Sequence, residues 1–165
     1  MSQINKKIIC TDRNGIKFEV AANQLSFRPS VYGVIIDSEK VLLARQWDGY
    51  DFPGGGINLG ETIEQALIRE VKEETGFDVK PIKLLGCEND FHKMTFNKNF
   101  IQSILLYYQC EITGGELSKN NLDAASHENE YMDLAQWIAL EDASKVKFYK
   151  PIDIQKILSP FKNNL

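Results

Sequence analysis

Residues 62–76 carry signals for the start, the apolar face and the end of one helix. Thr62 and Gln65 have the spacing of a capping box, in which the threonine hydroxyl and the glutamine side chain each satisfy a free backbone amide. Gly76 stands where a left-handed residue commonly ends a helix. Apolar side chains recur in between at helical spacing, at Ile63, Ala66, Leu67 and Val71. The segment therefore predicts one amphipathic helix.

Three glutamates of this helix lie at positions that are unusual for charged side chains. Glu70 and Glu74 fall on the apolar side, and Glu73 lies at its edge. Three- and four-residue spacings put their carboxylates within about 5 to 6 Å of one another. Glutamate usually stays exposed and like charges this close repel, so a cation between them would remove both costs. All-oxygen ligation favours Mg²⁺ or Mn²⁺, and ion pairs to distant lysines are the alternative explanation.

A glycine-rich loop, residues 52–61, comes directly before the helix. Glycines let a backbone turn sharply and approach a ligand closely. The loop contains neither the GxxxxGK[ST] pattern of a P-loop nor the GxGxxG pattern of a dinucleotide fold. Most glycine triplets are ordinary loops, so this one gains meaning only from the helix that follows it.

The loop and the helix together carry one spaced pattern: Gly, five residues, Glu, seven residues, Arg-Glu, apolar, any, Glu-Glu, any, Gly, apolar. Its fixed positions are Gly55, Glu61, Arg69, Glu70, Glu73, Glu74 and Gly76. With each residue type used at roughly 5 to 7%, these positions would coincide by chance less than about once in 10⁸ starting points. Residues 55–77 resemble the Nudix box of the Nudix hydrolase family.

The resemblance implies a fold, a reaction and a set of site residues. The fold would be α/β: an α/β/α sandwich with a mixed β-sheet and a loop-helix-loop catalytic motif, in a single domain over residues 1–165. The reaction would be metal-dependent hydrolysis of a diphosphate bond in a nucleoside diphosphate-X compound, by water attack on phosphorus. By the family pattern Glu70, Glu73 and Glu74 hold Mg²⁺ or Mn²⁺, with Glu70 preferred as the base. Arg69 orients these glutamates, and Glu61 braces the loop or assists metal binding.

Further site residues are expected outside the helix. Arg45 ends the strand before the loop, where a related enzyme contacts phosphate, although a surface arginine is an equal alternative. Gly54, Gly55 and Phe52 are expected to approach the substrate, with Phe52 among the aromatics available to stack on a base. Similar enzymes take an additional acidic residue from a later loop, for which the candidates are Glu128 and Glu130. An ordinary polar loop at residues 126–133 is the alternative.

Sequence marks of substrate class are mostly missing from this chain. No proline occurs between Pro81 and Pro151, although similar ADP-ribose hydrolases often carry one beyond the box. The remaining likeness is to MutT-type pyrophosphohydrolases, which favours a nucleoside triphosphate or its oxidised analogue as the small-molecule substrate. The alternatives are an ADP-ribose or nucleotide-sugar pyrophosphatase and a non-catalytic Nudix-fold nucleotide sensor. RNA decapping is disfavoured because no long basic tract is present.

Charge and composition restrict the partners. The net charge of −4 argues against a nucleic-acid polymer, which binds through clustered positive charge. Three cysteines and two histidines lack the spacing of a zinc site, and no apolar run is long enough to span a membrane. A cytoplasmic location is therefore expected, and a homodimer is the candidate assembly on general frequency alone.

The rest of the chain predicts a mixed sheet covered by helices. β-branched and aromatic residues concentrate in several short segments, and an Asn14-Gly15 turn separates the first two. The predicted strands are residues 7–11, 16–20, 31–36, 41–45, 79–85, 100–112 and 136–140. Two further helices are predicted at residues 141–145 and 151–158.

Overall fold

The computed structural model describes residues 6–46, 48–95, 98–118, 132–149 and 152–162. Its strands are β1 (Lys7–Thr11), β2 (Lys17–Ala21), β3 (Leu25–Phe27), β4 (Ser30–Asp37), β5 (Lys40–Gln46), β6 (Gly49–Asp51), β7 (Gly54–Gly56), β8 (Phe77–Lys93), β9 (Phe100–Gly115) and β10 (Met132–Ala139). Its α-helices are α1 (Ile63–Thr75) and α2 (Ile154–Lys162). Among the described residues, no helix combines the length and the apolar character needed to cross a membrane.

The strands form one mixed, branched sheet in the order β10-β5-β4-β9-β8-β1-β2. β4 runs parallel to β9, while β8 and β9 form a long antiparallel hairpin. The short strands β3, β6 and β7 branch from β9, β5 and β4 respectively. The predicted α/β class with a mixed sheet is confirmed.

The predicted caps of α1 are both present. The Thr62 hydroxyl accepts from the Gln65 amide at 3.2 Å, and the Thr62 amide donates to the Gln65 side chain at 2.9 Å. Gly76 ends the helix in the left-handed conformation, with φ of 80°. Its amide donates to the Lys72 carbonyl, which satisfies one of the carbonyls left free at a helix end.

The two faces of the sheet carry two separate apolar clusters. On the α1 side, Leu67 and Val71 are fully buried against Leu42 and neighbouring residues. On the other side, Leu158 of α2 packs with Leu43 and its neighbours. Successive residues of β5 thus serve opposite clusters, as alternation along a strand requires. Each such side chain contributes roughly 1.5 to 3 kcal/mol when fully buried.

The structure corrects both predicted C-terminal helices. Residues 141–145 form successive turns, in which the Lys145 amide donates to the Asp142 carbonyl. Five residues are too few to offset the cost of nucleating a helix. The last helix is displaced toward the C-terminus and includes Pro160. Pro160 has no amide to give the Lys156 carbonyl, and the Ser159 hydroxyl donates to that carbonyl instead, at 2.9 Å.

Strand β8 is much longer than the predicted segment of residues 79–85. Its pairing with β9 shifts register near Asp78, Pro81 and Leu84. Bulges of this kind accommodate proline and interrupt the regular apolar alternation that a sequence search relies on. The extension matters for function because it brings Asp90 and His92 to the sheet face described below.

Candidate active site

Arg69 connects the glycine-rich loop to the glutamates of α1. Its Nε and Nη2 atoms donate to the two carboxylate oxygens of Glu61, at 2.6 and 2.8 Å. Its Nη1 atom lies 2.8 Å from Glu70 Oε1 and 3.3 Å from Glu73 Oε2. Nη2 also donates to the Gly56 carbonyl at 3.2 Å. A planar guanidinium supplies these directions at once, which the point charge of a lysine does not.

Glu61 fixes the conformation of the loop. One carboxylate oxygen also accepts from the Asn58 amide at 2.9 Å. The hydrogen bond from Arg69 and this backbone hydrogen bond lower the pKa of Glu61 to about 2. Glu61 is the strongest influence in raising the pKa of Arg69 above its ordinary value. The loop and helix are therefore held by a pair that stays charged across the neutral range.

The three remaining glutamates differ in burial as the helical wheel predicts. The side chains of Glu70 and Glu73 are 15% and 38% exposed, while the whole Glu74 residue is 7% exposed. Glu74 accepts a hydrogen bond from the Gly54 amide at 2.9 Å. Burial raises the pKa of Glu70, and the neighbouring Arg69 opposes that effect.

Two glycines of β7 are required by close contacts. Gly54 has φ of +150°, and a Cβ there would lie 2.2 Å from the Val31 carbonyl oxygen. A Cβ on Gly55 would lie 2.6 Å from Glu70 Oε2. Any larger residue at position 55 would displace the Glu70 carboxylate.

The chemistry of the donors fits a hard divalent cation. The three carboxylates supply oxygen ligands only, and Mg²⁺ typically uses one or two carboxylates together with waters and substrate phosphates. At present Glu73 and Glu70 contact Arg69, and Glu74 contacts Gly54. Across the described residues, no three acidic, histidine or cysteine side chains converge as a closed metal cage. The three carboxylates lie along one helix, and a cation held by them would keep coordination positions for substrate oxygens.

A cleft of about 490 Å³ adjoins these glutamates, a volume in the range of small-molecule sites. Glu70 and Glu74 line it together with the backbone of β7. The remainder of its lining includes Arg28, Ser30, Tyr32, Asp51, Asp90 and His92. Phe148 and Tyr149 form part of its wall. Gly54 and Gly55 thus lie where the sequence predicts, facing the same cleft as the glutamates.

Arg28 is a cleft residue that sequence reasoning missed. Its guanidinium lies over Gly56, where an added Cβ would be 2.3 Å from Nε. Its positive charge also acts on Glu70 and favours the ionised carboxylate. The arginine precedes a proline and a buried strand, and no spacing pattern marks such a position. It provides positive charge beside the acidic end of the cleft.

The predicted role of Phe52 is wrong. Phe52 is 1% exposed and its ring packs against Tyr107 and Phe148 in the core, at 5.8 and 5.6 Å between ring centres. A ring enclosed in this way has no face for a base. Phe52 directly follows the end of β6 at Asp51, and its burial in the apolar cluster decides its orientation.

Arg45 does not reach the cleft, and two predicted acids lie outside the described residues. Arg45 is opposite Asp133 in the β5–β10 pairing, and its Nη1 atom lies 4.0 Å from Asp133 Oδ2. It is absent from the cleft lining, although its neighbour Gln46 is part of it. The surface-arginine alternative therefore describes it better. Glu128 and Glu130 lie outside the described residues, so their role stays a prediction.

A buried tyrosine beneath the cleft was also missed. Tyr107 is 1% exposed, and its hydroxyl has no hydrogen-bond partner among the residues that the structure describes. Burial is the largest cause that raises the pKa of Tyr107 well above its ordinary value. The neighbouring Tyr32, Asp51 and Asp90 raise this pKa further. An unsatisfied buried hydroxyl costs about 1 to 3 kcal/mol. The three residues that act on it all line the cleft.

Comparison with known proteins places the chain in a family. The family model of the NUDIX domain matches residues 26–158, which include the loop, α1 and the cleft strands. The chain belongs to this family. The Nudix box predicted at residues 55–77 therefore lies within a matching Nudix domain.

Relatives of this Nudix chain differ in the substrates that their names mention. An RNA pyrophosphohydrolase of Stutzerimonas stutzeri is 46% identical over 65 residues, which cover 37% of this chain and 40% of the relative. The chain thus spans less than half the length of that curated relative. The solved Nudix hydrolase of Nitrosomonas europaea has a TM-score of 0.63 at 19% identity, covering 84% of this chain and 90% of that one. An ADP-ribose pyrophosphatase of Streptococcus suis has a TM-score of 0.60 at 20% identity, covering 82% and 92%. The two structural likenesses show the fold alone.

Proposed function

We propose that this Nudix chain hydrolyses a diphosphate bond in a nucleoside diphosphate-X compound, with a nucleoside triphosphate or an oxidised analogue as substrate. One observation carries the proposal: a single guanidinium, Arg69, holds Glu61 of the loop and Glu70 and Glu73 of α1 at one end of a nucleotide-sized cleft. Phosphoryl transfer needs little covalent chemistry from a protein and depends on positioning and charge neutralisation. The arrangement supplies both.

Each of several residues has its own role in the proposed reaction. Arg28 attracts the phosphates, and the glycines of β7 let them approach the backbone. Glu70 is the proposed base for the attacking water, because its burial favours accepting a proton. Arg69 keeps Glu70 and Glu73 in place. Bound Mg²⁺ or Mn²⁺, held by Glu70, Glu73 and Glu74, would neutralise phosphate charge and lower the pKa of water.

Substitutions on α1 that remove a charge and conserve volume test the catalytic proposal. Glu73→Gln and Glu74→Gln should each lower magnesium-dependent kcat by about 10²-fold or more, because each removes a carboxylate proposed to hold the divalent cation. Glu64→Gln is the matched control: the same change, on the same helix, at an exposed position outside the box pattern. Steady-state kinetics and far-ultraviolet circular dichroism measure rate and fold together. Near-normal rates in both box variants contradict the proposal.

A substrate panel decides among the alternatives. It contains nucleoside triphosphates, oxidised triphosphates, ADP-ribose, a nucleotide sugar and an RNA with a 5′-triphosphate end, with products separated by chromatography. RNA belongs on the panel because the relative above is named an RNA pyrophosphohydrolase. A net charge of −4 disfavours a long polymer interface, but the cleft needs to hold only one end nucleotide. Tight binding without turnover of any compound indicates a nucleotide sensor instead.

The proposal also covers the compartment, the domain organisation and the assembly of the protein. Cys10, Cys87 and Cys110 are all free, which supports a reducing compartment such as the cytoplasm. We propose a single functional domain over residues 1–165 and a homodimer as its assembly. Light scattering coupled to size exclusion measures the assembly directly, and a monomer mass at micromolar concentration overturns the dimer.

A further inference from the structure

Phe148 and Tyr149 form one wall of the cleft, and we call these two residues the aromatic wall. Phe148 packs against the apolar cluster that contains α2, and its ring centre lies 5.6 Å from that of Phe52. Tyr149 follows it in the chain and is half-buried. Packing fixes the ring of Phe148, whereas a half-buried tyrosine needs further contacts to keep one orientation.

The hydroxyl of Tyr149 is held by Asp48. It donates to Asp48 Oδ1 and accepts from the Asp48 amide at 3.1 Å. The ring lies against the backbone at Gly49, where an added Cβ would be 2.7 Å from Tyr149 Cε2. Asp48 Oδ2 lies 2.9 Å from Lys147 Nζ, so the same carboxylate also holds a residue just before the aromatic wall. Asp48 thus contacts both ends of the segment that carries this wall.

Asp48 itself lies outside the cleft. Of the residues that the structure describes, those lining the cleft include Gln46 and Asp51 but not Asp48. The side chain of Asp48 is 75% exposed, and the residue comes directly before Gly49, which begins β6. Asp48 therefore acts on a bound substrate in one of two ways, through Tyr149 or through its charge.

The geometry points to Asp48 as a positioning residue for the proposed hydrolysis, which holds the ring of Tyr149 in the orientation that contacts the substrate. A side chain that is already ordered loses less conformational entropy on binding than a mobile one, so an ordered wall raises substrate affinity. The carboxylates proposed for catalysis contact Arg69 and Gly54 instead. Asp48 should therefore affect KM and leave kcat unchanged. This inference rests on the proposed function, which supplies the substrate.

Two substitutions at Asp48 separate its hydrogen bond from its charge. Asp48→Ala removes the acceptor for the Tyr149 hydroxyl, whereas Asp48→Asn removes the same charge and keeps an acceptor oxygen. With the best nucleotide of the substrate panel, Asp48→Ala should raise KM by about 3- to 10-fold at unchanged kcat. Asp48→Asn should stay close to the wild-type KM. A merely structural role would lower the folded fraction, and with it kcat, without moving KM.

Tyr149→Phe tests the same contact from the other side. It keeps the ring and removes the hydroxyl, so it should raise KM as much as Asp48→Ala does. The double variant Asp48→Ala/Tyr149→Phe should have the KM of Tyr149→Phe alone, because both changes remove one contact. Asp142→Ala is the matched control: Asp142 is another solvent-accessible aspartate paired with a lysine, Lys145, and lies outside the cleft lining. It should leave KM and kcat unchanged.

Three results overturn the assignment. An unchanged KM in Tyr149→Phe means that the hydroxyl does not order the wall. Additive effects in the double variant mean that Asp48 does not act through Tyr149. An equal rise of KM in Asp48→Asn and Asp48→Ala means that the charge of Asp48, and not its hydrogen bond, affects the substrate.

Binding separates this inference from the proposed function. Titration calorimetry of AMP, CMP, GMP and UMP without metal should show affinity lowered by about 3- to 10-fold in Asp48→Ala and Tyr149→Phe but not in Asp48→Asn. If this pattern holds and no nucleotide is hydrolysed, the positioning role stands and the hydrolytic proposal fails. If all variants hydrolyse nucleotides at the wild-type KM, the proposed function stands and the positioning role fails. A wild-type protein that neither hydrolyses nor binds a nucleotide overturns both.

Discussion

At the scale of single residues, Arg69 shows how one side chain organises a site. It contacts two carboxylate oxygens of Glu61 and one oxygen each of Glu70, Glu73 and Gly56. Its own position is fixed by the helix, while the partner Glu61 is fixed by the loop. Repulsion among the glutamates is reduced by this shared cation, so part of the charge balance inferred for a metal is already supplied by the protein.

Tyr107 allows a test of the opposite situation, in which a polar group lacks its partner. Tyr107→Phe removes the buried hydroxyl and keeps the ring that packs on Tyr32 and Phe52. The ligand-free protein should gain about 1 kcal/mol in the free energy of unfolding, because an unsatisfied buried hydroxyl is destabilising. Urea denaturation followed by fluorescence measures the change. A clear loss of stability would mean that the hydroxyl has a partner in solution.

At the scale of elements, α1 was predictable because its information is local. The capping pair, the terminal glycine and the apolar spacing lie within 15 consecutive residues, and all three are present in the structure. The burial order of Glu74, Glu70 and Glu73 follows from the same helical wheel. The length of β8 was not predictable in this way, because its bulges and its partner β9 decide it.

The cleft floor needed tertiary information, although one sequence signal was available. Glu88, Asp90 and His92 alternate along β8, which is the period expected of a polar strand face. No local signal tells that this face is partly buried and that Asp90 and His92 line the same cleft as Arg28. Phe52 gives the converse case: its type suits both a core and a base-stacking position, and only packing distinguishes them.

Gly76, which ends α1, is a position where substitution should be costly. Its φ is +80°, and a Cβ would lie 2.3 Å from the Glu116 carbonyl oxygen and 2.9 Å from the Ser118 amide. Gly76→Ala should lower the free energy of unfolding by about 2 to 4 kcal/mol, from left-handed strain and from this clash. Gly15→Ala is a matched control, since φ is +81° and nothing lies within 4 Å. It should cost about 1 kcal/mol, from strain alone.

Chemical denaturation of the two alanine variants separates the cost of left-handed strain from the cost of the clash. The two variants differ in their loss of unfolding free energy by the cost of the clash at the end of α1, because φ is nearly the same at both positions. Equal losses at both positions would mean that the segment after α1 relaxes away from the added methyl group.

At the scale of the whole molecule, the cleft is assembled from segments that are far apart in the sequence. β4, β7 and α1 supply the acidic end, β8 supplies the floor, and residues 148–149 close one wall. The wall is attached by backbone pairing: the Tyr50 amide donates to the Lys147 carbonyl at 2.8 Å. Residues 148–149 thus complete a cleft whose glutamate-bearing helix α1 lies near the middle of the chain.

Asp48 reinforces this attachment and makes it sensitive to pH. Its carboxylate accepts from the Tyr149 hydroxyl and lies 2.9 Å from Lys147 Nζ. The hydrogen bond from Tyr149, followed by that from Lys147, lowers the pKa of Asp48 from 3.8 to about 2. A pKa lowered by folding means that the contribution to stability is complete above about pH 4. It is lost as the pH falls toward 2.

Asp48→Asn should therefore destabilise the protein at neutral pH, and the difference from wild type should shrink as the pH falls from about 4 to 2. Urea midpoints measured across this range, at low and at high salt, follow the effect. The double variant with Tyr149→Phe should show a smaller loss on changing Asp48, because its first partner is already absent. A difference that is constant with pH, or one that grows on acidification, would show that the attachment of residues 147–149 does not depend on this charge.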